Sequence, residues 1–139
     1  VDIPEAARAH TEAGAIEFTK VAVTMAGKSF AENDSAPFMS LTDPGCKGCT
    51  AVATEIANQV ASDRHPAEPR ITIDDVQLFS PYTGDRVEVD VLGKEKATTM
   101  VNSAGKVVGQ LDEAVLRLRL GLLWTEGGWR VGEMMVVNV

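Results

Sequence analysis

The pattern of apolar and polar positions divides the chain into a helical half and a strand half. Over residues 5–31, apolar side chains at Ala13, Ile16, Val23 and Phe30 recur at spacings of three and seven, while Glu12, Glu17, Lys20 and Lys28 fall mostly on other faces. That period predicts one long amphipathic helix after Pro4. Residues 32–36 supply breakers and caps, and residues 36–41 read as a short second helix with Phe38, Met39 and Leu41 turned inward. Asp43 is a good N-cap and Pro44 suits a first helical position; Cys49, Val52, Ile56 and Val60 then recur at helical spacing. A third helix is expected over residues 44–62, ended by a segment with two prolines and exposed charges.

From Arg70 the period shortens to two. Ile71 and Ile73 are followed by Val76 and Leu78, a half-step shift that a bulge near Asp74 and Asp75 would produce. Val87, Val89 and Val91 alternate with Arg86, Glu88 and Asp90, and residues 80–85 between these two runs read as a hairpin turn. Residues 93–113 suggest a small hairpin whose turn uses Asn102 and Gly105. Leu116, Leu118, Leu120, Leu122 and Trp124 then alternate strictly with Arg117 and Arg119, and Thr125–Gly128 turns the chain into a last strand over residues 129–139. Helices first and an antiparallel meander afterward make the fold class α+β, with N-terminal helices packed on one face of a curved sheet.

Composition adds mostly exclusions. The 139 residues fit one domain, with 45% hydrophobic and 24% charged residues, both ordinary for a globular chain. The net charge of −7 is spread over both halves, so no basic face is available for nucleic acid or for an anionic membrane surface. No stretch approaches the roughly 18 consecutive apolar residues of a membrane-spanning helix. The first residue is Val1, not Met, and the chain is expected to be a processed or trimmed product.

Candidate chemistry is sparse. Cys46 and Cys49 are the only cysteines. Their spacing is open to three readings: a redox centre with a thiol activated by a helix N-terminus, half of a metal site, or a clip joining a loop to a helix. A thioredoxin-like centre would follow a strand, whereas this pair follows a short helix. A zinc site would need His10 and His65, which have no ligand spacing between them and read most simply as surface residues. Asp74 and Asp75 are adjacent strand residues and point to opposite faces unless a bulge redirects one. Glu133 alternates with Trp129, Val131 and Met135, so it would share their face; the plainer reading is an exposed position near a sheet edge. Trp124, Trp129 and the Met134–Met135 pair read as packing residues. No Ser/His/Asp set, phosphate loop or nucleotide motif stands out, and no cofactor is expected.

The order long helix, short helix, third helix and bent sheet resembles the cone-shaped fold of nuclear transport factor two and ketosteroid isomerase, in which helices close one side of a sheet around a pocket. Residues 3–20, 40–49, 101–109 and 127–134 also resemble a family of actinobacterial envelope lipoproteins of unknown function. The cone resemblance implies a pocket, for which Met25, Phe38, Glu133 and Met135 are the candidate lining. The lipoprotein resemblance implies an extracytoplasmic domain over residues 1–139, with residues 1–4 the remnant of a linker to a lipid-anchored cysteine that this chain does not contain. It implies an oxidising compartment, and hence a structural Cys46–Cys49 disulfide closing a loop of about four residues, worth roughly 2 kcal/mol.

The function expected is non-catalytic binding of a small apolar ligand or of an envelope protein. A carboxylate-based isomerase, dehydratase or hydrolase is the alternative, and a thiol oxidoreductase the third reading. The outer sheet face, with Arg117 and Arg119, is expected to meet solvent or a second subunit in a homodimer.

Overall fold

A computed structural model describes residues 1–137. A 3-10 turn over Glu5–Ala7 precedes three helices, α1 (Glu12–Glu32), α2 (Ala36–Met39) and α3 (Lys47–Ala61). Seven strands follow: β1 (His65–Pro66), β2 (Ile71–Leu78), β3 (Arg86–Glu95), β4 (Thr98–Val101), β5 (Val107–Leu111), β6 (Ala114–Thr125) and β7 (Gly128–Val136). The fold is α+β, as the two periods require. Asn138 and Val139, to which the last strand was expected to extend, lie outside the described residues.

The main sheet is antiparallel in the order β2-β3-β6-β7. Its inner face is the one that the alternation identifies. Val87 and Val89 are fully buried, Val91 nearly so, and they stand opposite Leu122, Leu120 and Leu118. The β2–β3 register shifts between Ile73 and Asp75, which keeps Ile71, Ile73, Val76 and Leu78 all against the core. The single meander expected is in fact two sheets. β4 and β5 pair with each other and with β1, in the order β1-β4-β5, because the segment after α3 brings His65 and Pro66 alongside Val101 and Met100. Asn102 forms their turn, its side chain accepting from the backbone N–H of Ala104 and Lys106, with Gly105 at φ 80°.

The helices differ from expectation at both long N-termini. The first helix begins at Glu12, not residue 5, because Thr11 is extended and its Oγ1 accepts from the Gly14 N–H at 3.0 Å. Residues 8–10 then fold back over the first turn, where a Cβ on Gly14 would lie 2.0 Å from the Ala9 carbonyl oxygen. The buried face of α1 consists of small residues with Phe18 and Val23 among them: Ala15, Ala22, Ala26 and Ser29. Ile16 and Phe30 are half-buried and Ala13 is exposed. The third helix begins at Lys47, three residues beyond Pro44 at the expected N1, because Asp43 caps a turn instead of the helix. Its carboxylate accepts from the Gly45 N–H, and its carbonyl accepts from Cys46. Cys46 takes the N-cap position, with Sγ accepting from the Cys49 N–H.

Residues near the N-terminus are held by an aromatic cluster. His10 stacks on Trp124 with centroids 4.0 Å apart, Trp124 meets Trp129 edge to face, and Trp129 Nε1 donates to the Ala9 carbonyl at 2.9 Å. The two tryptophans are cross-strand partners beside the β6–β7 turn. Ile3 and the buried Ala7 also pack on the core.

Candidate functional site

The third helix is pinned at its two ends and stands off the sheet between them. At its first turn Gly48 lies against β7 so closely that a Cβ would fall 1.9 Å from the Met134 carbonyl oxygen. Near its last turn Gln59 Nε2 donates to the Phe30 carbonyl and to Asn33 Oδ1, both on the C-terminal end of α1. Cys49 and Ile56 are the residues of α3 that are fully buried. The gap beneath its middle is a cleft of about 670 Å³, within the size range of small-molecule sites.

Three walls bound it. α1 contributes Ala26, Gly27 and Phe30; α3 contributes Ala51 and Val52; the main sheet contributes Ile71, Leu116, Leu118 and Met134. The small sheet closes one end with Pro66, Met100 and Leu111. At that end Arg70 spans the two sheets. Its Nη1 donates to Glu95 Oε2 at 3.0 Å, Nε to the Lys96 carbonyl at 3.0 Å and Nη2 to the Asp112 carbonyl at 2.6 Å. With its side chain only 16% exposed, this arginine is a structural tie. Glu55, Asn58, Gln59 and Ser62 form a polar margin along α3.

Of the four candidate lining residues, the structure brings one to the cleft. Met135 borders it at the rim, half-exposed. Met25 is half-buried against the core, and Phe38 is fully buried beneath α2, where its N–H donates to Ser29 Oγ. Glu133 is exposed and stands opposite Gly121 on the outer face of the sheet. A register shift between Gly121 and Leu122 makes Gly132 an extra residue in β7, which breaks the alternation that would have aligned Glu133 and Met135 with Trp129 and Val131. Met134 consequently faces inward, opposite Leu120. An isolated glycine inside a strand is the sequence signal for such a bulge. Phe30, Glu55, Gln59 and Arg70 gave no comparable signal, since only the docking of α3 brings them together.

Cys46 and Cys49 form a disulfide, and both residues are fully buried. It joins the first turn of α3 to the loop in which residues 41–43 run beside β7. Val131 donates to the Leu41 carbonyl and Asp43 donates to the Val131 carbonyl. Thiol exchange requires an accessible sulfur, and this bond has none exposed. His10 and His65 belong to no cluster of metal-ligating side chains among the described residues, one stacking on the tryptophans and the other lying in β1.

The outer sheet face carries a shallow groove of about 260 Å³ between β2, β3 and β6. Two of its lining residues, Phe79 and Asp90, meet Arg119, whose guanidinium lies 3.3 Å above the Phe79 ring and bonds through two nitrogens to Asp90. The hydrogen bond that Arg119 donates to Asp90 raises its pKa above the ordinary value, with desolvation opposing and Coulombic attraction to Asp90 and Glu88 assisting.

No family model matches the chain, and no curated protein matches it in sequence. Solved structures do. A putative dehydratase of the NTF2-like family from Streptomyces avermitilis superposes with a TM-score of 0.61 at 14% identity, over 93% of this chain and 99% of that one. A cystatin-like-fold protein of unknown function from Nostoc punctiforme gives 0.55 at 11% identity over 91% of each chain. An NTF2-like protein of unknown function from Pseudomonas putida gives 0.57 at 10% identity, over 91% and 87%. At these identities the likeness is one of fold: the chain has the NTF2-like, cystatin-like architecture.

Proposed function

We propose that this domain binds a small apolar ligand in the cleft under α3 and performs no chemistry on it. The carrying observation is the pairing of a cleft of about 670 Å³, walled by aliphatic, Met and Phe side chains, with the lack, among the described residues, of a buried acid or base in it. Among the described residues the buried polar side chains are Thr19 and Ser29, and both are hydrogen-bonded within the helical layer. Isomerase or dehydratase chemistry in a cone needs a carboxylate or imidazole at the reacting atom. Glu133, the candidate for that role, is on the other side of the sheet. Glu95 is held by Arg70, and Glu55 is exposed on the margin.

An envelope location accords with the buried disulfide, which is compatible with an extracellular compartment. No helix among the described residues is long and apolar enough to cross a membrane. A lipid anchor upstream of Val1 rests on the resemblance to envelope lipoproteins. A second copy covering the outer face is supported by half-exposed Phe79 and by the mixed charges of Arg117, Arg119, Glu88 and Asp90, which suit a two-fold contact.

The binding reading is tested with the neutral fluorophore N-phenyl-1-naphthylamine. Saturable, blue-shifted emission is expected, and Ala51→Trp, which fills the cleft from an exposed helix position, should abolish it while leaving the thermal melt unchanged. Emission that does not saturate, or that survives Ala51→Trp intact, would refute the cleft as the site.

A further inference from the structure

The polar margin of the cleft is one-sided in its hydrogen-bonding capacity. Its strongest donor, Arg70, has every guanidinium nitrogen engaged by a protein acceptor and its charge matched by Glu95. The Gln59 amide nitrogen is likewise engaged twice, by the Phe30 carbonyl and Asn33 Oδ1. The acceptors are in the opposite condition. Glu55 takes part in no ion pair among the described residues, and Gln59 Oε1 accepts no protein hydrogen bond among them. Glu55 and Gln59 are four residues apart on α3, so they share one face of the helix, the face bordering the cleft. Asn58 between them offers both a donor and an acceptor and discriminates neither way.

We propose, resting on the cleft as the binding site, that its ligand is a cationic amphiphile: an apolar body under α3 and an ammonium head at Glu55 and Gln59 Oε1. An ammonium carries donors only, which complements a margin whose open groups are acceptors. A carboxylate head would meet the Glu55 carboxylate with the margin's arginine already neutralised, in a chain whose net charge of −7 adds to the repulsion. A neutral hydroxyl head falls between the two.

Dodecylamine, dodecanol and dodecanoate share one apolar body and differ in the head. Each is titrated below its micelle concentration against bound N-phenyl-1-naphthylamine at neutral pH and low salt. Dodecylamine is expected to displace the fluorophore at a concentration about tenfold below dodecanoate, the size of one exposed attraction gained and one repulsion avoided. Glu55→Gln should remove most of that gap without moving dodecanol. Equal displacement by amine and carboxylate, a preference for the carboxylate, or a gap unchanged in Glu55→Gln would overturn the cationic assignment while leaving the apolar site standing. Failure of the fluorophore itself to bind would overturn the site, and the assignment with it.

Discussion

Replacing Leu118 or Leu120 by Ala removes the same atoms from successive inward positions of β6, yet the two losses should differ. Each side chain gives up about three buried carbon groups, or roughly 2.4 kcal/mol at about 0.8 kcal/mol per group. Leu120 is fully buried between Val89 and Met134, so the space left behind is sealed. A residual void on the order of 50 Å³ adds about 1.2 kcal/mol there at roughly 24 cal/mol per Å³, bringing Leu120→Ala to about 3.6 kcal/mol. Leu118 is 5% exposed and forms part of the cleft wall. Its vacated space merges with a cavity that already exists, the void contribution falls away, and Leu118→Ala should cost about 2.4 kcal/mol at most. Arg117→Ala, on the opposite face between them and the preceding leucine, should stay within about 0.5 kcal/mol. Urea unfolding of the three variants and the parent at matched concentration, with a shared m-value, provides the comparison. A cost for Leu118→Ala equal to that for Leu120→Ala would mean the cleft is closed in solution. A cost for Arg117→Ala equal to either would mean the sheet faces are reversed, or that the outer face is itself buried.

Three further outcomes follow from separate contacts. Without reductant, Cys46 and Cys49 should resist alkylation, and the double Ser variant should remain folded with a loss of about 2 kcal/mol; complete unfolding would show that the core cannot hold the first turn of α3 unaided. Gly48→Ala should destabilise by about 1–3 kcal/mol, because its methyl meets the backbone of Met134, whereas Gly109→Ala, with only the Met100 side chain at 3.6 Å or more, should be nearly silent to thermal melting; equal melts for the pair would dismiss the α3–β7 contact. Sedimentation of the parent at rising concentration should show dimer formation that Phe79→Asp suppresses, and a parent that stays monomeric throughout would remove the outer-face contact.

The parts of this fold legible in the sequence are those in which a side chain's face depends only on its neighbours. Strands β3 and β6 keep period two without interruption, so Val87 to Val91 and Leu116 to Leu122 declare their faces directly. The bulge at Asp74 was legible because apolar residues lie on both sides of it. The bulge at Gly132 had only the glycine itself as a signal, since Glu133 and the two methionines fit either phase until Leu120 and Met134 are paired. The buried face of α1 was obscured for another reason. Ala15, Ala22 and Ala26 carry little hydropathy, and they are inside because small residues let the helix lie close to the sheet; a Cβ on Gly27 would come within 3.3 Å of Ile71. The larger Ile16 and Phe30 drew the reading toward a face that is only half-buried. The cleft was the least legible of all, because it is set by where α3 is attached: at Gly48 to β7 and at Gln59 to α1.

That attachment separates most of the residues that hold the domain together from those that line the cleft. The inner faces of β3 and β6, with Phe18 and Phe38 above them, form a core to which the middle of α3 adds only the partly buried Val52. Exposed Ala51 and Glu55 can therefore change with little effect on the sheet, while every such change alters the lining of the cleft. The extra residue in β7 acts on the same division from the other side. With Gly132 present, the inward position nearest the first turn of α3 is Met134, an adaptable apolar side chain suited to a varied ligand surface. In an uninterrupted strand Glu133 would share the face of Trp129 and Val131 and bring a carboxylate beneath the helices. One inserted residue thus keeps that acid on the solvent side of the sheet, which is the arrangement the proposed binding role requires, with Glu55 left at the margin of the cleft.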